Sequence, residues 1–211
     1  MIEFDKIWVE KYRPNKLDDV ILDEASLRVV SQFEDEIPNL LFVGNPGTGK
    51  TTLARIIVND ILKCNYLYIN ASDESGIDTI RHNITNFAQT KSFDGKVKVV
   101  ILDEADGLTG QAQAALRNTM ESFAKYCRFI LTANYKHKII PALQSRCQSL
   151  DLKPVIDQAV KRCYNILKTE KVNISDEQKK KFVQLVKRFF PDLRKTINEI
   201  QKAVIDSELC I

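Results

Sequence analysis

Gly44-Asn45-Pro46-Gly47-Thr48-Gly49-Lys50-Thr51 sets glycines, a lysine and a threonine at the spacing G-x-x-x-x-G-K-T, with a second threonine, Thr52, behind them. At that spacing the glycines Gly44, Gly47 and Gly49 let backbone N–H groups, that of Thr48 among them, turn inward around phosphate oxygens. Lys50 brings a mobile positive charge to the β- and γ-phosphates, and the Thr51 hydroxyl can ligate magnesium. A helix starting at this point aims its N-terminal dipole at the same anion. A second signal is acidic: Asp103-Glu104 follows the apolar run Val99-Val100-Ile101-Leu102. Asp103 can hold magnesium directly or through water, and Glu104 can polarise the water that attacks a γ-phosphate. The chemistry implied is P-loop ATP hydrolysis with Mg2+.

These groups need elements to position them. Short β-rich apolar runs at 40–43, 66–70, 97–102 and 128–132 read as strands, and helical spacing covers 50–62, 77–89 and 111–123. Strands alternating with helices predict an α/β fold, a parallel sheet sandwiched by helices. The unalternating run 99–102 fits a central strand buried on both sides, its acidic pair at the end where such sheets place ligands. After Leu152 the strand signals stop. Lys153-Pro154 starts one helix, the capping box Ser175-Asp176-Glu177-Gln178 starts a second, and Pro191-Asp192 precedes a third. The expected organisation is an α/β domain over 1–150 and a three-helix module over 151–211.

Bulk properties are those of an ordinary soluble globule: 211 residues, 44% apolar and 28% charged. The net charge of +3 is too small to argue for nucleic acid, but it is uneven. Residues 151–211 carry 13 Lys/Arg against 9 Asp/Glu, and residues 1–150 carry 18 against 19. Five scattered cysteines with no C-x-x-C pair argue against zinc or a disulfide framework. A charged N-terminus and the lack of a long apolar run predict a cytoplasmic protein with no membrane partner.

With these motifs in place, the chain resembles the AAA+ ATPase subunits of sliding-clamp loaders, of the replication factor C small-subunit type, along essentially its whole length. Trp8-Val9-Glu10-Lys11-Tyr12-Arg13-Pro14 resembles the family's N-terminal box, which wraps the adenine, and Val20-Ile21 the apolar continuation of that pocket. Asn134, in Leu131-Thr132-Ala133-Asn134, matches sensor 1, which orients the attacking water. Arg146, in Ser145-Arg146-Cys147, matches the arginine finger that reaches the γ-phosphate bound by a neighbouring subunit, so that hydrolysis depends on assembly. Arg194, in Pro191-Asp192-Leu193-Arg194-Lys195, matches sensor 2, which makes 151–211 the family's helical lid. Arg117 lies in a further signature, with a weaker role coupling Glu104 or a neighbour's phosphates to DNA. In Ala71-Ser72-Asp73-Glu74-Ser75-Gly76-Ile77-Asp78-Thr79-Ile80-Arg81, the resemblance implies a helix start that tracks duplex phosphates, with Gly76, Ile77 and Arg81 facing DNA.

The resemblance further implies partners: other clamp-loader subunits in a ring, a sliding clamp and primer–template DNA. Thr85-Asn86-Phe87-Ala88, Ser92-Phe93-Asp94-Gly95 and the Pro-Asp before Leu193 resemble the T-even-type phage branch. Family members continue into a helical collar domain, which this chain is expected to lack. Two other readings compete. One is a different replication or repair AAA+ protein, a helicase loader or branch-migration motor. The other is a nucleotide-binding scaffold without turnover, against which Lys50, Thr51, Asp103 and Glu104 all stand. Asp103-Glu104-Ala105-Asp106 also spells a helicase motif, but such helicases need a second sheet domain for which there is no room.

Overall fold

The computed structural model describes residues 7–34, 37–72, 77–90, 96–205 and 207–210. In chain order the elements are α1 (Trp8–Lys11), α2 (Glu24–Val30), β1 (Leu40–Val43), α3 (Lys50–Ile56), β2 (Tyr66–Asn70), α4 (Ile77–Gln89), β3 (Lys98–Asp103), α5 (Gly110–Ser122), β4 (Cys127–Ala133), α6 (Pro141–Gln144) and β5 (Gln148–Asp151). They continue with α7 (Ile156–Thr169), α8 (Asp176–Phe189), α9 (Leu193–Lys202) and a two-stranded antiparallel ribbon, β6 (Val204–Ile205) and β7 (Glu208–Leu209). The chain divides into two units. One comprises Glu24–Gly44 and Lys50–Leu152; the other gathers the N-terminal segment through Asp23, the short piece Asn45–Gly49 and the chain from Lys153 on. The N-terminal box thus groups with the helical module, not with the sheet.

In the α/β unit, five parallel strands run in the order β2-β3-β4-β1-β5. All six residues of β3 are buried, as its unbroken apolar run predicts for a strand with neighbours on both sides. Phe129, Leu131, Leu102 and Val100 meet Ile84, Leu116 and Met120 in one core cluster. The edge strand β5 is a departure from the sequence expectation. Of Gln148-Ser149-Leu150-Asp151 only Leu150 is buried, so an edge strand paired to β1 alone carries almost no hydrophobic signal. The helix expected over 50–62 is α-helical only to Ile56 and then widens into a π turn over Ile57–Ile61, where Leu62 N–H donates to Ile57 O at 2.8 Å.

In the helical unit, α8 opens with the expected capping box: the Ser175 hydroxyl accepts from Gln178 N–H while the Gln178 side chain accepts from Ser175 N–H. Trp8, Ile21, Cys163, Phe182, Val186 and Ile200 share its core. Polar ties hold the N-terminal segment to α7. Arg162 donates to Tyr12 O at 2.8 Å, and the Lys11 ammonium and Tyr12 hydroxyl both donate to Glu170 Oε1, at 2.7 and 2.5 Å.

Burial raises the Glu170 pKa, but the hydrogen bonds from Lys11 and Tyr12 outweigh it and hold the carboxyl below its ordinary 4.5. A depressed folded value contributes stability above the unfolded pKa and loses it as pH falls through the folded one. Resistance to urea should therefore drop through roughly pH 5 to 3 in part because of this group. Glu170→Gln should flatten that acid limb. Midpoints that follow the wild-type curve against pH would remove Glu170 from it.

Candidate functional site

Within the α/β unit, the residues at the carboxyl ends of β1, β3 and β4 are bonded to one another. Gly44 follows β1, and its N–H donates to Ala133 O at the end of β4, 3.3 Å away. Lys50, buried at the start of α3, turns its ammonium back to Gly44 O and to Asn134 Oδ1, each at 2.8 Å. One residue on, the Thr51 hydroxyl faces both oxygens of Asp103, at 2.8 and 2.9 Å. A hydroxyl and a carboxylate converging in this way form the hard oxygen donor set suited to a small divalent cation. The charged lysine and its polar neighbour sit where a phosphate chain would need them.

Two further side chains hold Asp103. Thr132 Oγ1 donates to Oδ1 at 2.5 Å, and the Tyr68 hydroxyl donates to Oδ2 at 2.7 Å. Burial, then the bond to Asp103, push the Tyr68 pKa up to about 12, so its hydroxyl stays a donor. Thr132 also accepts from the Glu104 N–H at 3.0 Å, which ties the acidic pair together. Glu104 itself is exposed and left-handed, with φ +56°, and its Oε2 accepts from the Ser72 hydroxyl at 2.6 Å. Asp106, the last letter of the helicase-like tetrapeptide, has a local duty here. Its Oδ2 accepts from the N–H groups of Asn134 and Tyr135 at 3.2 and 3.1 Å, so it shapes the turn that carries Asn134.

Sequence reasoning passed over Tyr68, Ser72 and Thr132 as donors to the acidic pair. For Thr132 a signal was available: a lone hydroxyl in an apolar strand, two residues before Asn134.

Arg146 lies beyond α6, exposed, with one guanidinium nitrogen on Ala142 O at 3.0 Å and another paired with Glu121. Arg117 donates to Asn118 Oδ1 at 2.7 Å and stands 3.9 Å from the same Glu121. The neighbouring Cys147 is inert, its thiol pushed up to about 12 by burial. Gln113 of α5 joins two loops, donating to Leu108 O and Lys138 O and accepting from Ile140 N–H at 2.8–3.1 Å. Of the DNA-facing expectations, Ile77 begins α4 and Arg81 is exposed in its second turn, while Gly76 lies outside the described residues, as do residues 92–95 of the phage-like signature.

The helical unit carries the remaining expected residues. Gly47 has φ +75°, and a Cβ built there would lie 1.9 Å from Asp192 Oδ1, so glycine is required twice over. Asp192 caps α9 by accepting from Lys195 N–H at 2.9 Å, and Gly47 O accepts from Leu193 N–H at 3.1 Å. Thr48 is buried, its hydroxyl on Asn45 O at 2.8 Å. Arg194 is exposed and lines an open cleft of about 370 Å³ with Asp192, Lys195, Asn198 and Gln201. In the N-terminal box, Val9 and Pro14 are half-buried and Arg13 pairs with Glu10 at 2.7 Å. Lys11 and Tyr12 engage Glu170, and Ile21 packs into the unit's own core.

Residues 40–155 match the ATPase family associated with various cellular activities (AAA), and residues 151–209 match the sliding-clamp-loader large subunit, AAA+ ATPase lid domain. The chain is 44% identical over 212 residues to the replication factor C small subunit of Archaeoglobus fulgidus, covering 97% of this chain and 66% of that protein. It is 41% identical over 210 residues to replication factor C subunit 3 of Saccharomyces cerevisiae, covering 95% and 61%. It therefore spans a little under two thirds of the length of these relatives. Among solved structures, the Thermotoga maritima RuvB Holliday junction branch migration motor superposes with a TM-score of 0.71 over 91% of this chain and 64% of that one. At 20% identity that likeness shows the fold alone. With a parallel five-stranded sheet, a phosphate loop after β1, an acidic pair after β3 and a match over more than half its length, this chain belongs to the AAA family of ATPases.

Proposed function

We propose that this chain is an ATP-hydrolysing subunit of a clamp loader, which opens a sliding clamp and closes it on primer–template DNA. The observation that supports turnover most directly is the bonded set Lys50–Asn134 and Thr51–Asp103, with Glu104 beside it. The clamp-loader assignment draws support from the lid-domain match and from 44% identity to a replication factor C small subunit.

In this reading Gly44, Gly47, Thr48, Gly49 and Thr52 surround the phosphates, and Lys50 neutralises the β,γ-bridge. Thr51 and Asp103 hold Mg2+, which supplies charge neutralisation on the phosphate oxygens. Glu104 accepts a proton from the attacking water, and Asn134 orients that water. Residues 9–14, Ile21 and Arg194 serve nucleotide binding, and Arg81 with Gly76 and Ile77 meets DNA phosphates. Arg146 acts in trans, on nucleotide held by the next subunit. The working compartment is the one that holds the replicating DNA: cytoplasm, or nucleus in a eukaryote. The finer assignment to a phage branch rests on Thr85-Asn86-Phe87-Ala88, Ser92-Phe93-Asp94-Gly95 and Pro191-Asp192 alone, since the relatives named above are archaeal and fungal.

Glu104→Gln should bind ATP as the wild type does while hydrolysis falls by about two to four orders of magnitude. Arg146→Ala should also bind normally, yet lose about 10³-fold of the turnover stimulated by DNA and clamp. Full stimulated turnover in a ring whose subunits all carry Arg146→Ala would sink the trans-finger role. The Ser72 hydroxyl holds Glu104 by a bond worth about 0.5–1.5 kcal/mol. Ser72→Ala should accordingly raise basal hydrolysis, without clamp or DNA, by about two- to tenfold. A basal rate at or below wild type would rule out that restraint.

A further inference from the structure

Asp103 is almost fully buried, yet its carboxylate accepts from donors on three different elements. The two flanking strands reach it differently. Leu131 of β4 pairs with Leu102 of β3, so Thr132 stands directly beside Asp103 and a short side chain suffices. On the other flank Asn70 pairs with Asp103 and Tyr68 with Ile101, so Tyr68 is the diagonal neighbour. Across a diagonal only a long side chain arrives, and the Tyr68 hydroxyl arrives at 2.7 Å on Oδ2. Thr132 holds the other oxygen, Oδ1. With one oxygen held from each flank, the plane of the carboxylate is set, and its remaining edge is the one facing Thr51.

Tyr68 is itself gripped. The Arg55 guanidinium of α3 lies 4.8 Å from the centre of its ring, in range for a cation–π contact. Arg55 Nε is buried and has no hydrogen-bond partner among the described residues, so the guanidinium is not anchored there through that atom. The ring is thus stacked from the helix that carries Thr51, while its hydroxyl is committed to Asp103.

We infer that Tyr68 is a positioning residue for the divalent-cation site: stacked under Arg55, it fixes one oxygen of Asp103 and so sets how strongly the site holds Mg2+ with nucleotide. The inference rests on the reading of Thr51 and Asp103 as the Mg2+ donors. Partners that orient a metal ligand typically change metal affinity by about ten- to a hundredfold when removed. Here one of two orienting donors is lost, so the effect belongs at the lower end of that range.

The test is equilibrium binding of a fluorescent, non-hydrolysable ATP analogue to the full chain, in EDTA and across a Mg2+ titration. Tyr68→Phe keeps the ring for Arg55 and deletes only the hydroxyl. It should bind the analogue in EDTA as the wild type does, yet need about tenfold more Mg2+ to reach half of the metal-dependent gain. Arg55→Ala, which frees the ring, should shift the same midpoint in the same direction by less. A loss of folding or of the phosphate loop would lower affinity in EDTA as well, so the split between the two conditions isolates the metal site. If wild type gains affinity with Mg2+ and both variants titrate within twofold of it, the role of Tyr68 is overturned while the metal site stands. If wild type itself shows no gain with Mg2+, the assignment of Thr51 and Asp103 fails, and this inference with it.

Discussion

Burying an ionised carboxylate is unfavourable unless hydrogen bonds replace the water it loses, and the α/β unit buries Asp103 at the end of a strand with no exposed position. Three elements beside its own supply those bonds: Thr51 from α3, Tyr68 from β2 and Thr132 from β4. Satisfying one anion therefore ties β2, β3 and β4 to one another and to the start of α3. The adjoining residue has the opposite character. Glu104 is exposed, left-handed and, among the described residues, held by one side-chain bond, from Ser72. A rigid anion beside a releasable one suits a site in which one group must stay on a cation and the other must exchange protons with water.

Arg146 shows the same economy at the surface. Its ion pair with Glu121 is solvent-exposed, the kind of contact that contributes about 0–1 kcal/mol. Such a pair is weak enough to exchange for a phosphate, a far stronger partner for a guanidinium. Arg117 shares that carboxylate, so Glu121 gathers two cations on one face of α5 and the loop after α6.

Much of this was legible in the chain itself, because the strongest signals are local. The apolar runs of β1 and β2 and the amphipathic pattern of α4 have the extents the sequence predicts. The capping box of α8 is likewise a matter of four neighbouring residues. What could not be read is non-local or nearly silent. The edge strand β5 buries one side chain, and the π turn after Ile56 follows from packing, since its residues have ordinary helical spacing. Tyr68 looks like any aromatic in an apolar strand until the register of β2 against β3 brings it diagonal to Asp103. The grouping of the N-terminal box with the helical unit depends on Glu170, Arg162 and Gln201, more than 140 residues away in sequence.

The chain passes from one unit to the other after Asp23, Gly44, Gly49 and Leu152. Two of those passages bracket five residues in the middle of the phosphate loop, whose Gly47 is bonded to the start of α9. Neither unit is a continuous stretch of polypeptide, so neither can be excised by cutting the gene once. A fragment ending near residue 152 would keep the whole G-x-x-x-x-G-K-T motif but strip the loop's centre of the backbone it is tied to. For this molecule modularity stops short of the G-x-x-x-x-G-K-T loop: the chain from Lys153 on belongs to a unit of its own, but it is not a detachable part.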